Sequence, residues 1–261
     1  MPAGAWMQPI SLPVRRGIGV PTLAPIMTHR SLLALVTALL AAALLAACTP
    51  DFVASGPPAA APVLKAGDRW VYRGREGFRL PTVWEETHEV TGAAPDNITV
   101  RVSYAGGVKG DRTEVLTAPG LVRVGELMDI ETRQFAQPLR RFAFPLTPGT
   151  SWNQWVGNLN ETTHRSGQIN RYGQVGGWEK VTTPAGTFDA IRVRVFMTLD
   201  DEEFWRTATR CNYLIWYAPA VGAPVREEKE AEYFEKGDRM DSAPVRAQHT
   251  LIELVAYSRG A

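Results

Sequence analysis

The chain has 261 residues, with 28 Lys and Arg against 27 Asp and Glu, for a formal net charge of +1. That balance argues against nucleic acid as the partner, since no basic excess is present to neutralise phosphates. An aromatic content of 9% excludes a chain that is disordered by composition.

The first element in chain order is a leader. Met27-Thr28-His29-Arg30 gives a basic start, and Leu32 to Ala47 runs for 16 residues without a charge. As a helix this run would span about 24 Å at 1.5 Å per residue, short for a membrane crossing. Ala46 and Ala47 are small enough for a peptidase to accept, and Cys48 follows them directly. The arrangement resembles the bacterial lipobox, which is cut just before a cysteine that receives the lipid. Residues 1–47 are therefore the expected signal peptide, set aside from fold reasoning, and Cys48 is the expected lipid attachment site. Residues 1–26, with five prolines, Arg15 and Arg16, stand ahead of a complete signal. Either a start placed upstream of the true one at Met27 or a long basic n-region accounts for them. Thr49 follows Cys48, where the sorting rule of Gram-negative bacteria uses Asp to retain a lipoprotein in the inner membrane. Similarity to that rule implies an outer-membrane lipoprotein facing the periplasm.

Removing 1–47 takes three arginines and leaves 214 residues with 25 basic and 27 acidic side chains. With Cys48 lipidated, Cys211 has no disulfide partner in the chain, and the core must hold the fold. Residues 48–63 read as the lipidated cysteine and a Pro/Ala linker. Pro57, Pro58 and Pro62 favour extended polyproline geometry, a tether of about 45 Å at full reach. Residues 64–261 read as one domain, ample in length for a single core.

From Leu64 the texture is β. Arg69 to Arg73 is a first strand and Val83 to Thr91 a second. Ile98, Val100, Val102 and Tyr104 alternate with Thr99, Arg101 and Ser103, a strand with one wet face. Arg112 to Thr117 and Leu121 to Leu127 form a hairpin across Ala118-Pro119-Gly120. Met128 to Phe144 could hold a short helix, limited by Pro138 and Pro145. Strands resume at His164 to Val175 and at Trp178 to Thr182. Pro184-Ala185-Gly186-Thr187 turns the chain into Ile191, Val193, Val195, Met197 and Leu199, which alternate with Arg192, Arg194, Phe196 and Thr198. Thr207 to Tyr217, Val225 to Phe234 and Val245 to Ser258 complete about ten to twelve strands at hairpin spacing. The expected fold is all-β: a curved antiparallel sheet or open half-barrel.

Motifs for chemistry are sparse. There is no Gly-x-Ser-x-Gly, Ser-x-x-Lys, His-Glu-x-x-His or phosphate-binding glycine loop. No catalytic residue, cofactor site or metal site is expected, and His88, His164 and His249 are far apart in sequence. Glu86 and His88 share a strand face and could relay a proton, although a solvated face accounts for them as well. Asp200-Asp201-Glu202-Glu203 lacks the spacing of a calcium loop and reads as a solvated hairpin tip. Glu227, Glu228, Glu230 and Glu232, interleaved with Lys229, read as an exposed edge strand guarded by charge. Cys211 reads as a buried thiol, and the tryptophans of the domain read mainly as core.

Four segments together resemble a group of bacterial envelope lipoproteins: Phe144-Pro145-Leu146-Thr147-Pro148-Gly149-Thr150-Ser151-Trp152, Val181 to Ala190 around Pro184-Ala185-Gly186-Thr187-Phe188, Trp216-Tyr217-Ala218-Pro219-Ala220-Val221-Gly222, and Glu253-Leu254-Val255-Ala256-Tyr257. Ala220 departs from the glycine common in the group. The resemblance covers residues 142–258, with Gly67 to Tyr72 matching the opening. It implies a curved antiparallel sheet akin to the half-barrel of lipoprotein carriers, and it implies no catalytic residues. The expected function is a membrane-anchored, periplasm-facing binding or scaffold module for an apolar ligand or an envelope partner, with no nucleic acid. The alternative is an envelope hydrolase whose site is assembled only by folding.

A lipid on Cys48 is directly measurable. The mature protein extracted from membranes should begin at Cys48 and carry added acyl mass, and Cys48→Ser should give an unlipidated form. An intact mass without that addition would overturn the assignment.

Overall fold

Alternation of apolar and polar residues sets the architecture, because each strand of a closed sheet has one face inside and one outside. The computed structural model describes residues 55–77, 80–107, 109–128, 131–200, 204–236 and 243–261. The strands are β1 (Arg69–Glu76), β2 (Thr82–Ala94), β3 (Asn97–Tyr104), β4 (Arg112–Ala118), β5 (Leu121–Leu127), β6 (Glu131–Arg140), β7 (Ser151–Asn160), β8 (Ser166–Thr183), β9 (Gly186–Asp200), β10 (Thr209–Ala218), β11 (Ala223–Tyr233) and β12 (Val245–Ser258). Each pairs antiparallel with the next, and β12 returns to pair with β1, from Arg69 opposite Ser258 to Glu76 opposite Thr250. The expected open half-barrel is thus a closed twelve-stranded barrel. Closure satisfies the backbone groups of β1 and β12, which an open sheet would leave exposed at its edges.

Closure also corrects the reading of β11. It lies between β10 and β12 and has no edge to guard. Glu228 and Glu230 face out, whereas Glu227 and Lys229 alternate with the buried Val225 and Ala231 and point inward. The expected solvated face of β2 is likewise turned in: Trp84, Glu86 and Val90 are buried. The strand expected at Ile191 to Leu199 behaves as read, with Ile191, Val193, Val195, Met197 and Leu199 all at most 3% exposed. Ile98, Val100, Val102 and Tyr104 are buried in the same way.

The segment read as a short helix before Phe144 is strand β6 instead. The two strands expected at 164–175 and 178–182 are one, β8, carried through Gly176-Gly177 by a bulge between Val175 and Trp178. Glycines facing tryptophans allow tight cross-strand contact elsewhere. A side chain on Gly74 or Gly173 would strike the indole of Trp84 or Trp152, about which these strands close.

The seam between β6 and β7 is a short ladder: Arg133, Gln134 and Phe135 pair with Asn160, Leu159 and Asn158. Pro138 has no N–H to continue it. Gln154 of β7 bridges the gap with its side chain, accepting from the Arg140 amide at 2.7 Å and donating to the Pro138 carbonyl at 3.0 Å.

One end of the barrel is closed by the chain before β1 and by the long β6–β7 connection. Ala59 exchanges backbone hydrogen bonds with Leu146, and both are buried. Trp178 donates to the Pro57 carbonyl at 2.8 Å. From Ser55 onward, then, the Pro/Ala stretch lies against the barrel and is not a free tether. The expected signal at 1–47, Cys48 and the acidic residues 201–203 lie outside the described residues.

The strand-face assignment predicts an asymmetry. Val193 lies between Val175 and Ile215 with no exposure. Val193→Asp should cost several kcal/mol, since a carboxylate would be buried without a partner. Arg192 faces out and pairs with Glu179 at 3.1 Å, so Arg192→Ala should cost about 1 kcal/mol or less. Urea midpoints of the two variants check this, and equal losses would contradict the faces.

Candidate functional site

Twelve strands enclose more cross-section than their inward side chains fill, and a cavity of about 190 Å³ remains inside the barrel. Its wall has two characters. Trp70, Val100, Leu116, Leu139, Met197, Ile215 and Ile252 make it apolar, and Phe142, Phe144 and Tyr217 close it with a cluster of rings 5.1–5.9 Å apart. Trp70 is fixed by donating to the Val221 carbonyl at 3.1 Å. Tyr217 and Val221 belong to the Trp216–Gly222 segment, whose turn thus helps close the barrel. Glu86, His88, Arg112, Glu114, Glu126, Arg141, Arg171, Tyr213, Glu227 and Lys229 make the rest of the wall polar.

These charges are held by one another. Glu86 accepts from Trp84 Nε1 and pairs with His88 Nε2, each at 2.9 Å. Glu114 accepts from Arg141 at 2.9 and 3.3 Å and from the Glu126 amide at 3.2 Å. Arg112 pairs with Glu126, donates to the Tyr104 hydroxyl and lies 3.7 Å from Glu114. Lys229 pairs with Glu227 at 3.0 Å. Burial pushes the Glu114 carboxyl up, but the charges of Arg141 and Arg112 outweigh it and hold the group down at about 2. Burial of Glu86 is likewise outweighed, by the His88 hydrogen bond and charge and then by Trp84, to about 2. Burial, then Glu227 and Glu86, push the Tyr72 phenol well up. The Tyr72 hydroxyl donates to the Pro224 carbonyl at 3.0 Å, and its ring meets His88 edge-on at 5.1 Å.

Sequence reasoning paired Glu86 with His88 and the structure brings them together, inside the barrel and not on a wet face. It missed Arg112, Glu114, Arg141, Arg171 and the inward turn of Glu227 and Lys229. The signal for Glu114 was its place two residues before the buried Leu116 on one strand face. Cys211 is buried as expected, 3% exposed, on the inner face of β10. Of the tryptophans, Trp70, Trp84, Trp152 and Trp216 are core, while Trp155 is 66% exposed. Among the described residues no three His, Cys, Asp or Glu side chains lie close enough to hold a metal ion. The arrangement is a chamber with an apolar body and fixed polar groups.

The depressed carboxylates fix a pH dependence. Glu86 and Glu114 titrate near 4.5 when unfolded and near 2 when folded. The stability they contribute is therefore complete above about pH 5 and is lost as the pH falls toward 2. Glu114→Gln should lower stability at pH 7 by about 3 kcal/mol, since it removes the carboxylate that Arg141 pairs with and Arg112 approaches. It should also lose less than the wild type between pH 6 and pH 3, as read by urea midpoints.

No curated protein matches this chain. Two crystal structures are similar to it. One is a protein described as exported, with a YmcC-like fold, from Bacteroides fragilis, at 14% identity and a TM-score of 0.48, covering 78% of this chain and 100% of that one. The other is a protein described as a lipoprotein from Parabacteroides distasonis, at 15% identity and a TM-score of 0.43, with the same coverage of each chain. Residues 157–244, which hold the Pro184–Phe188 and Trp216–Gly222 segments, match the family model described as DUF3108-like.

Proposed function

We propose that this chain is a lipid-anchored binding protein of the bacterial cell envelope, facing the periplasm from the outer membrane, that holds a small, partly apolar ligand inside its barrel. The observation that carries the reading is the interior cavity, apolar on one part of its wall and lined elsewhere by polar groups already fixed in place. Such pre-formed, mixed chambers are how proteins bind small molecules. The address rests on Leu32 to Ala47 followed by Cys48 and Thr49.

The outer surface supports a barrel outside the lipid. Arg73, Glu85, Glu89, Arg101, Arg210 and Glu230 are exposed along the strands. A barrel spanning a bilayer would bring such charges against hydrocarbon, at about 2–4 kcal/mol for each Arg or Lys at the midplane. The lipid on Cys48 would supply the attachment instead.

Native mass spectrometry of the protein extracted under mild conditions tests the reading. A bound small molecule is expected in the wild type. It should be absent from Leu116→Trp, which fills the cavity at about 1–3 kcal/mol of overpacking while the barrel's circular dichroism persists. A ligand retained by that variant would place the site elsewhere.

A further inference from the structure

Not every interior charge has a counter-charge beside it. Each of the four carboxylates that line the cavity has a side-chain partner: His88 for Glu86, Arg141 for Glu114, Arg112 for Glu126 and Lys229 for Glu227. Arg171 is left over. It is 4% exposed and lines the cavity on β8 opposite Met197. Its guanidinium contacts are the Met197 sulfur at 3.9 Å and the Arg141 backbone carbonyl at 3.4 Å, and its Nε has no hydrogen-bond partner. Among the described residues no carboxylate forms an ion pair with it.

A buried guanidinium with one weak carbonyl contact is rare, because removing the charge from water is repaid only by a close anion and full hydrogen bonding. Nor does Arg171 escape by losing its proton. Burial, and then the neighbouring Arg141 charge, lower it only to about 10, so it is charged at neutral pH. The Arg fork presents parallel N–H donors that fit both oxygens of a carboxylate.

We infer that the interior site takes an apolar monocarboxylate, its head on Arg171 and its tail against Met197, Ile215, Leu139 and Phe142. This rests on the reading that the ligand lies inside the barrel and adds its chemistry. One unmatched positive charge suits a monoanion better than a phosphate dianion, which the four carboxylates would repel. The volume, equal to about six waters of liquid and below the roughly 300–1,000 Å³ of drug-sized sites, admits a single chain or ring and not a two-chain phospholipid. Arg141, with a side chain 32% exposed, connects this polar wall to solvent.

The test compares octanoate, 1-octanol and octylammonium as probes, titrated calorimetrically into the full-length protein and into Arg171→Gln. Octanoate should bind the wild type at least tenfold tighter than octanol, and octylammonium should not bind. Arg171→Gln should bring octanoate to the level of octanol, leave octanol unchanged and keep or raise the melting temperature, since it removes a lone buried charge. If the variant fails to fold, the octanoate-to-octanol ratio in the wild type decides alone. Equal binding of the two in the wild type, or an octanoate affinity unmoved in Arg171→Gln, would overturn the carboxylate assignment and leave the interior site standing. Failure of all three probes to bind would overturn both.

Discussion

Everything inside this barrel depends on the ladder between β1 and β12. Those strands lie at opposite ends of the domain in sequence, and their pairing turns a long meander into a ring. It encloses the inward residues of β1, Trp70 and Tyr72, which would otherwise face water on one side. It also sets the circumference at twelve strands, and that circumference is what leaves a chamber where a smaller barrel would be filled by its own side chains. The cavity is a geometric result of closure before it is a feature of any particular residue.

The interior charges are a second consequence. Ion pairs in such a place bring little net stability, because desolvation offsets their attraction. Apolar side chains of the same volume would fill and hold the barrel at least as well. Glu114 binds Arg141, approaches Arg112 and accepts the amide of Glu126, so it ties β4, β5 and the start of the β6–β7 connection into one polar wall. A wall of this kind keeps its groups aligned and keeps the space in front of them from collapsing. That is what the proposed binding site requires, and Arg171, with no carboxylate beside it, gives it a sign.

Much of the fold was readable in the sequence. Period-two alternation marked β3 and β9, Pro and Gly marked the turns, and spacing marked the hairpins, because these are local properties of a pleated chain. Closure was not readable: whether the first and last strands meet is decided by twist and shear summed over the whole sheet, which no local pattern states. The site was illegible for a related reason. Reading polar residues as outward is sound for a filled core, and it fails for a hollow one. Glu86, Arg171 and Glu227 occupy positions that alternation assigns to the inside, yet their charge argued for the outside. β6 failed for both reasons together, since Arg133 takes an inward place beside Phe135, and Pro138 hides the continuing strand.

The meeting of β1 with β12 also bears on chain order. Gly260 donates its amide to Asp68 at 2.8 Å, and Arg259 reaches the Val63 carbonyl at 2.8 Å, so the entry to the ring and its exit are neighbours. In a ring of hairpins each strand pairs only with the two beside it. The β12–β1 junction is then like any other antiparallel junction, except that no peptide connects it. A gene rearranged to join these ends and to open at another turn would encode the same ring of neighbours.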